Sequence, residues 1–540
     1  MDSSYKVKRI RKTDYIFFAV FLFVLGLNLW KIHQGIGSSD EYFYITEGMR
    51  FNMGDRLLVD DWHIAQLIGL FLSPLYQLFH LFSANNEGIV LYYRLSYTVF
   101  TALIGFLIYI RFRKAYGIKA VFASVIYMLF TPFQIPALSY NTMGPGFMIL
   151  ALLVYPNRSH RKIQYLLFGV FMAFAVMNMP YLIFLYLFLS ILMVMKKPMF
   201  TKKAWIWTTA GAFLVVLLFG FILLSQSSLS EIKASVPHLI DPSHSDSLIW
   251  KILKNGGRML KAYHVFLPVY LAEVIAAVFY RKHKIQYNPV RISAVINAIS
   301  ILILGFITKY QPLLGGFAII LLPFSVIGLL IIIIDETDSY IVSSYYASLF
   351  LAVMVSFSSN VGPSSFICPL IYSCSMTVIL LNLDDYAGKV LLVIFIAALL
   401  CFNVTEDFEG KTGDYDTTVQ SGPLKGLKGT EKQVAEYEAA LEDMMYIRSL
   451  PLRNVSLVTW KNWGYFVTDK TIATNSTYLY FWDRDSYVQT EEAYYDSHSD
   501  RYPAYVYVDR ENPYFEQNDA LLNEFEAVKT LENGDLYIRH

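Results

Sequence analysis

The alternation of apolar and polar positions divides the chain near residue 403 into two unlike parts. Before that point long apolar runs follow one another with short polar breaks. After it Tyr, Asp and Glu are frequent and no apolar run is long enough to cross a bilayer. A helix crossing about 30 Å of hydrocarbon needs about 20 mostly apolar residues, or somewhat fewer when its flanks snorkel. By that measure the runs near 15–30, 88–110, 117–134, 143–155, 163–179, 181–195, 204–225, 262–280, 292–308, 313–334, 340–357, 364–383 and 387–403 predict about thirteen transmembrane helices.

Basic residues orient these runs. Lys6, Lys8, Arg9, Arg11 and Lys12 precede the first one and place residues 1–14 in the cytoplasm. The sequence Asn28-Leu29-Trp30-Lys31 offers no small-residue cleavage site, so the run reads as a retained span. Arg111-Phe112-Arg113-Lys114, Arg158 with Arg161-Lys162, Lys196-Lys197 with Lys202-Lys203, and Arg281-Lys282-His283-Lys284 then all fall inside. A further apolar stretch, Ala65–Phe82, would move every one of these clusters outside if it crossed the membrane. It is therefore read as a helix on the outer surface, within a first outer loop over 34–87.

An odd number of spans delivers residues 404–540 to the outer face. Thr430 and Gln433 have the spacing of a capping box and open a predicted helix to about Arg448, with Val434, Tyr437, Leu441, Met444 and Met445 on one face. Strands are expected at Val455–Trp460 and Ala504–Val508, and a hairpin about Asn533-Gly534, where Asn-Gly favours a type I′ turn. This tail reads as a small α/β domain. The fold class is thus a polytopic α-helical membrane domain over 15–403 with an extracytoplasmic α/β domain after it.

Composition supports this division and removes other functions. The 540 residues are 55% hydrophobic and 16% charged, whereas soluble domains average about 45–50% and about 25%. A formal charge of +1 provides no basic field for nucleic acid. Cys368, Cys374 and Cys401 lie in apolar stretches with neither CxxC nor His spacing, so a zinc site and a disulfide scaffold are both disfavoured. The absence of disulfides from the outer domain fits a bacterial plasma membrane.

Ionisable residues separate transporters from enzymes. The runs 313–334 and 340–357 carry no charge until Asp335, whereas a proton-coupled transporter carries charges near the midplane. Polar residues gather instead after the first span: Asp40, Glu41, Arg50, Asp55, Arg56, Asp60, Asp61, Trp62 and His63. Two adjacent carboxylates beside a membrane helix suit general-base chemistry, since apolar surroundings lift one pKa toward working pH. A solvated loop or a charged interfacial helix would carry the same residues.

The order of first span, Asp40-Glu41, Gly48, Gly54, Asp60-Asp61, His63, surface helix with Pro74, and Arg94 opening the next span resembles the first outer loop of GT-C membrane glycosyltransferases. Protein O-mannosyltransferases and the lipid A aminoarabinose transferase belong to that group. The resemblance covers the first 200 or so residues by motif and the rest by layout. It implies transfer of a sugar from a polyprenyl-phosphate donor to a lipid, polysaccharide or protein acceptor. It also places the catalytic role on Asp40, with Glu41 as a helper or a structural neighbour, and lipid-phosphate binding on Arg94, a position that an interfacial snorkelling arginine would equally occupy. The proline-rich stretch that often follows the acidic pair in mannosyltransferases is reduced here to Ala65-Gln66-Leu67 and a later Pro74.

Other residues complete a candidate site. Arg258, Lys261 and His264 form a second cationic group that suits the donor phosphate, or anchors the chain at the interface. Asp60, Asp61 and His63 suit sugar hydroxyls, or with Asp40 a divalent metal such as Mg or Mn, the lesser of the two readings. Ser139-Tyr140-Asn141-Thr142-Met143-Gly144-Pro145 is expected to break the helix and line a cavity, with Tyr140 stacking on a sugar and Asn141 bonding hydroxyls. Ser356–Ser365 is a weaker candidate for the same wall. Two competing functions remain in the sequence: a lipid-linked oligosaccharide flippase or exporter, and a non-catalytic scaffold of envelope assembly.

Overall fold

The computed structural model describes residues 11–156, 161–187, 201–239, 247–283, 288–307, 316–335, 337–358, 365, 367–451, 454–478, 484–511 and 524–539. The first helices are α1 (Lys12–Lys31), α2 (Ser39–Asn52), α3 (Gly69–His80), α4 (Ile89–Tyr116), α5 (Ile118–Leu129), α6 (Tyr140–Val154) and α7 (Lys162–Asn178). Six helices among the described residues are long and apolar enough to cross a membrane: α1, α4, Lys202–Gln226, Pro289–Phe306, Ser339–Ser356 and Tyr386–Thr405. A bent pair, Ile249–Tyr263 and Leu267–His283, turns through 91° at its break. Shorter apolar helices cover Ile118–Leu129, Tyr140–Val154, Lys162–Asn178, Ala318–Ile334 and Cys368–Leu380. The remaining predicted run, 181–195, extends outside the described residues, as does most of Ser356–Ser365.

The chain forms two compact units. One comprises 1–31, 98–134 and 252–405, the other 32–97, 135–251 and 406–540. The first is helical, and aromatic stacking closes it: Phe17 on Tyr109 at 3.6 Å and Phe324 on Phe395 at 3.9 Å. Polar side chains inside it bond backbone, as in Asn28 to the Met128 carbonyl and Asn403 to the Leu129 carbonyl, both at 2.9 Å. Asn403 is fully buried. Cys368 and Cys374 are buried and all three cysteines are free.

In the second unit α2 and α3 approach closely because glycines face each other's backbone. A Cβ at Gly48 would lie 3.0 Å from the Leu72 carbonyl carbon, and one at Gly69 would lie 2.8 Å from the Glu47 carbonyl oxygen. The helix α3, extended backward by a 3-10 turn at Gln66–Ile68, occupies the stretch expected to lie on the surface and is only 12 residues long. Helix α7 meets Lys202–Gln226 in the same manner, through Gly169 against Thr208 and Gly211 against Leu166. The expected break at 139–145 does not occur. Ser139 and Thr142 form a capping box that starts α6, and the helix continues through Gly144 and Pro145. The irregular backbone lies just before, where Phe133 and Gln134 take positive φ.

The tail builds a five-stranded sheet of order β4-β3-β5-β7-β6, from β3 (Asn454–Val458), β4 (Thr471–Ile472), β5 (Tyr505–Asp509), β6 (Phe525–Thr530) and β7 (Gly534–Arg539). A two-residue ribbon, β1 (Thr417–Thr418) with β2 (Lys428–Gly429), precedes it. β4, β3 and β5 are parallel, while β5, β7 and β6 are antiparallel. The predicted helix spans Glu431–Ser449, and both halves of its capping box form: Gln433 N–H donates to Thr430 Oγ1 at 3.2 Å, and Thr430 N–H to Gln433 Oε1 at 3.0 Å. Its buried face includes Asp443, and Met445, expected on that face, is exposed. Asp443 is useful there because it accepts from the Tyr507 hydroxyl and from the Glu532 and Asn533 amides.

The hairpin forms, but not as a two-residue turn. Thr530 and Asp535 are the last pair of β6 with β7, which leaves the four residues 531–534 beyond that pair, closed by Leu531 N–H on the Gly534 carbonyl at 2.8 Å. Glycine is needed at 534 for another reason. A Cβ there would lie 2.5 Å from the Val508 carbonyl oxygen.

Candidate active site

The sequence Gly35-Ile36-Gly37 turns the chain from α1 into α2. Gly35 and Gly37 have φ of +80° and +104°, a region that only glycine enters without strain. A side chain at Gly37 would also strike Glu41 and Arg94. Helix α2 starts with Asp40 and Glu41 in its first turn, where the helix dipole favours anions. Adjacent residues on a helix point about 100° apart, and these two carboxylates meet different surroundings.

Glu41 faces Arg94. Its oxygens accept from Nε at 2.6 Å and Nη2 at 2.7 Å, while Nη1 donates to the carbonyls of Ile32, Gln34 and Gly35 at 2.9, 3.1 and 3.1 Å. Arg94 is 1% exposed. In this geometry the Arg94 guanidinium holds the turn before α2, and Glu41 is its counter-ion, which suits the structural-neighbour alternative for Glu41.

Asp40 faces aromatic rings. The Tyr478 hydroxyl hydrogen-bonds it, and Tyr44 and Tyr140 lie close enough to feel its charge. Tyr44 and Tyr140 pack edge to face at 5.9 Å, and Asn141 bonds Tyr140. Phe43 contacts both the His63 ring, at 4.3 Å, and the Tyr478 ring, at 5.3 Å. Among the described residues Glu41, Asp55, Asp60 and Asp61 each form an ion pair with arginine, and Asp40 forms none. Burial raises its carboxyl above the usual aspartate range, and the Tyr478 hydrogen bond opposes part of that rise.

Asp60 and Asp61 are not presented to a ligand either. Asp60 accepts from Arg56 at 2.8 Å and lies 3.4 Å from His498 Nε2 and 3.6 Å from Arg501. These hydrogen bonds hold its carboxyl far below the usual range against the opposing effect of burial. Asp61 lies 3.5 Å from Arg50, which also binds Asp55 at 2.7 Å and the carbonyl oxygens of Asp60 and Thr474. Glu47, beside Asp61, is fully enclosed and pushed well up by burial and by that neighbouring charge. Trp62, Tyr494 and Tyr495 make an aromatic core over this network, with Trp62 stacked on His238 at 4.2 Å. The network ties residues 47–66 to the sheet domain.

His63 turns its Nδ1 to the Ala65 amide at 3.0 Å, so that nitrogen is an acceptor. The residues proposed for a metal do not converge: among the described residues no group of three or more His, Cys, Asp or Glu is arranged to hold one. Asp60 and Asp61 are already neutralised by arginine. Arg258 and Lys261 fall in the helix Leu248–Tyr263, and His264 in the turn after it, where its Nδ1 lies 2.9 Å from the Lys261 carbonyl. That segment belongs to the other compact unit.

Thus Asp40, His63, Tyr140 and Asn141 share one neighbourhood. Sequence reasoning missed Tyr44, one helical turn from Asp40, which i, i+4 spacing could have supplied. It also missed Tyr478, which no local signal connects to residue 40.

No family model and no curated protein matches the chain. The chain is similar in structure to ArnT from Cupriavidus metallidurans bound to undecaprenyl phosphate, with 12% identity and a TM-score of 0.43 over 98% of each chain. It is similar to the apo state of the same protein, with 13% identity and a TM-score of 0.43 over 97% of each chain. At a TM-score below 0.5 the function has to be argued from this chain's own residues.

Proposed function

We propose that the protein is an inverting membrane glycosyltransferase of GT-C type, taking a sugar from a polyprenyl-phosphate donor at the outer face of the plasma membrane. The observation that carries this reading is the state of Asp40. Unlike its neighbours Glu41, Asp55, Asp60 and Asp61 it forms no ion pair with an arginine among the described residues, it lies among the Tyr44, Tyr140 and Tyr478 side chains, and burial raises its pKa. A general base needs that combination, because a carboxylate locked to a guanidinium is too weakly basic to accept a proton.

In the proposed step an acceptor hydroxyl loses its proton to Asp40 as its oxygen attacks the anomeric carbon. The new C–O bond forms while the bond to the donor phosphate breaks, and the polyprenyl phosphate leaves with the electron pair. Attack opposite the leaving group inverts the anomeric centre. Tyr44 and Tyr140 offer aromatic faces and hydroxyls to a sugar ring. The departing phosphate needs a cation close to the outer headgroup level.

The test is transfer from polyprenyl-phosphate hexoses in proteoliposomes with a cell-envelope extract. Asp40→Asn keeps shape and hydrogen bonding but cannot take a proton, so transfer is expected to fall by about 10²–10⁴-fold with normal insertion. Full activity in this variant would refute the assignment.

A further inference from the structure

The sheet domain carries a feature that the step above leaves unused. Parallel β3 has β4 on one side and β5 on the other, so the winding direction reverses between β3 and β5. Loops leaving the carboxyl ends of two such strands diverge, and the crevice between them is where open α/β sheets bind ligands. Here one loop is Thr459-Trp460-Lys461-Asn462 and the other continues from Asp509 to Glu511. Thr459 Oγ1 donates to Asp509 Oδ2 at 2.7 Å, and Lys461 Nζ sits 3.2 Å from Asp509 and 3.6 Å from Glu511.

Two contacts bring this crevice to Asp40. Asn462 Nδ2 donates to the carbonyl of Ser39, the first residue of α2, at 3.0 Å. Tyr478, which hydrogen-bonds Asp40, meets the Trp460 ring edge to face at 6.1 Å. Trp460 nevertheless keeps 38% of its surface exposed, whereas Trp62 and Trp463 in the same unit are 1% and 3% exposed. An indole left uncovered next to a paired Lys, Asp and Glu offers one apolar face and several hydrogen-bonding groups. That is the complement of a pyranose, which has an apolar C–H face and a rim of hydroxyls.

We propose that this crevice is the acceptor subsite, and that the acceptor is a glycan whose ring stacks on Trp460 with hydroxyls toward Lys461 and Glu511. Its catalytic meaning rests on the glycosyl-transfer reading, but its binding does not. A ring on Trp460 lies one aromatic residue, Tyr478, away from the proposed base.

The experiment uses the full chain in nanodiscs and measures binding of chitotetraose, cellotetraose and mannotetraose. At least one is expected to bind wild type and Asp40→Asn equally, with Trp460→Ala weakening it by about tenfold or more and Trp460→Phe by less. Unchanged melting of Trp460→Ala separates a lost contact from a lost fold. Equal binding by Trp460→Ala and wild type, or no binding of any of the three glycans, overturns the inference. If Asp40→Asn abolishes transfer while Trp460→Ala leaves the acceptor KM unchanged, the transferase reading survives and this subsite fails. If Trp460→Ala loses the glycan while Asp40→Asn transfers normally, the subsite survives and the assigned base fails.

Discussion

Arg94 and Glu41 make a buried pair, at 2.6 and 2.7 Å between side chains, and the guanidinium reaches three carbonyls at 2.9–3.1 Å. Removing one member leaves the other charged and buried, which costs about 3–5 kcal/mol. Arg94→Met is therefore expected to lower stability by that order in a denaturation series, and Glu41→Gln with Arg94→Met by less than the single variants sum to. Asp40 answers to a different measurement. Its pKa is raised, and a base acts only when deprotonated, so transfer should fail on acidification at a higher pH than an exposed aspartate would give. Tyr478→Phe removes the hydrogen bond that favours the ionised form. The acid limb of the pH profile should then move further up, and a shift downward would contradict this assignment.

Local sequence set the helix Glu431–Ser449 through its capping box, and Thr430→Ala should lower the stability of the sheet domain by about 1 kcal/mol, read by its thermal melt. Helix crossings depend on partners that sequence does not name. Gly169 and Gly211 leave no room for a side chain, since a Cβ would lie 1.9 Å from the Thr208 oxygen and 2.1 Å from the Leu166 oxygen. Gly211→Leu should push α7 and Lys202–Gln226 apart, at a cost of about 1–3 kcal/mol, visible as a lower detergent melting temperature. The hairpin at 531–534 shows the same limit. Asn-Gly is a strong local signal for a type I′ turn, yet Asp443 captures the Glu532 and Asn533 amides and the four residues 531–534 lie beyond the last strand pair.

In the unit that holds Asp40, several acids have raised pKa values. Asp40, Glu47, Glu491 and Glu409 are all raised chiefly by burial, and Glu409, helped by the charges of Asp407 and Glu41, is pushed up to about 7. A carboxyl whose folded pKa exceeds its unfolded value binds more protons in the native state across the interval between them. Stability should therefore fall as pH rises through that interval, which for Glu409 runs from its ordinary 4.5 to about 7. Melting temperature is expected to be higher at pH 5 than at pH 8, with Glu409→Gln flattening part of the slope. Asp60 acts oppositely, since its lowered pKa contributes stability only above the ordinary carboxylate range and loses it at strongly acid pH.

Hydrophobic periodicity by itself determined where the apolar helices run, that residues 65–82 make a short helix, and that an α/β tail follows, because each is a one-dimensional property of composition and spacing. It also put Asp40 and Glu41 directly after the first span. Only the tertiary structure decided that these neighbours differ, since a 100° step along α2 turns Glu41 to an arginine 53 residues away and Asp40 to a tyrosine more than 400 residues away. The same holds for Asp60, whose partners Arg501 and His498 come from the tail. Charge and burial act through space, and the sequence orders residues along the chain.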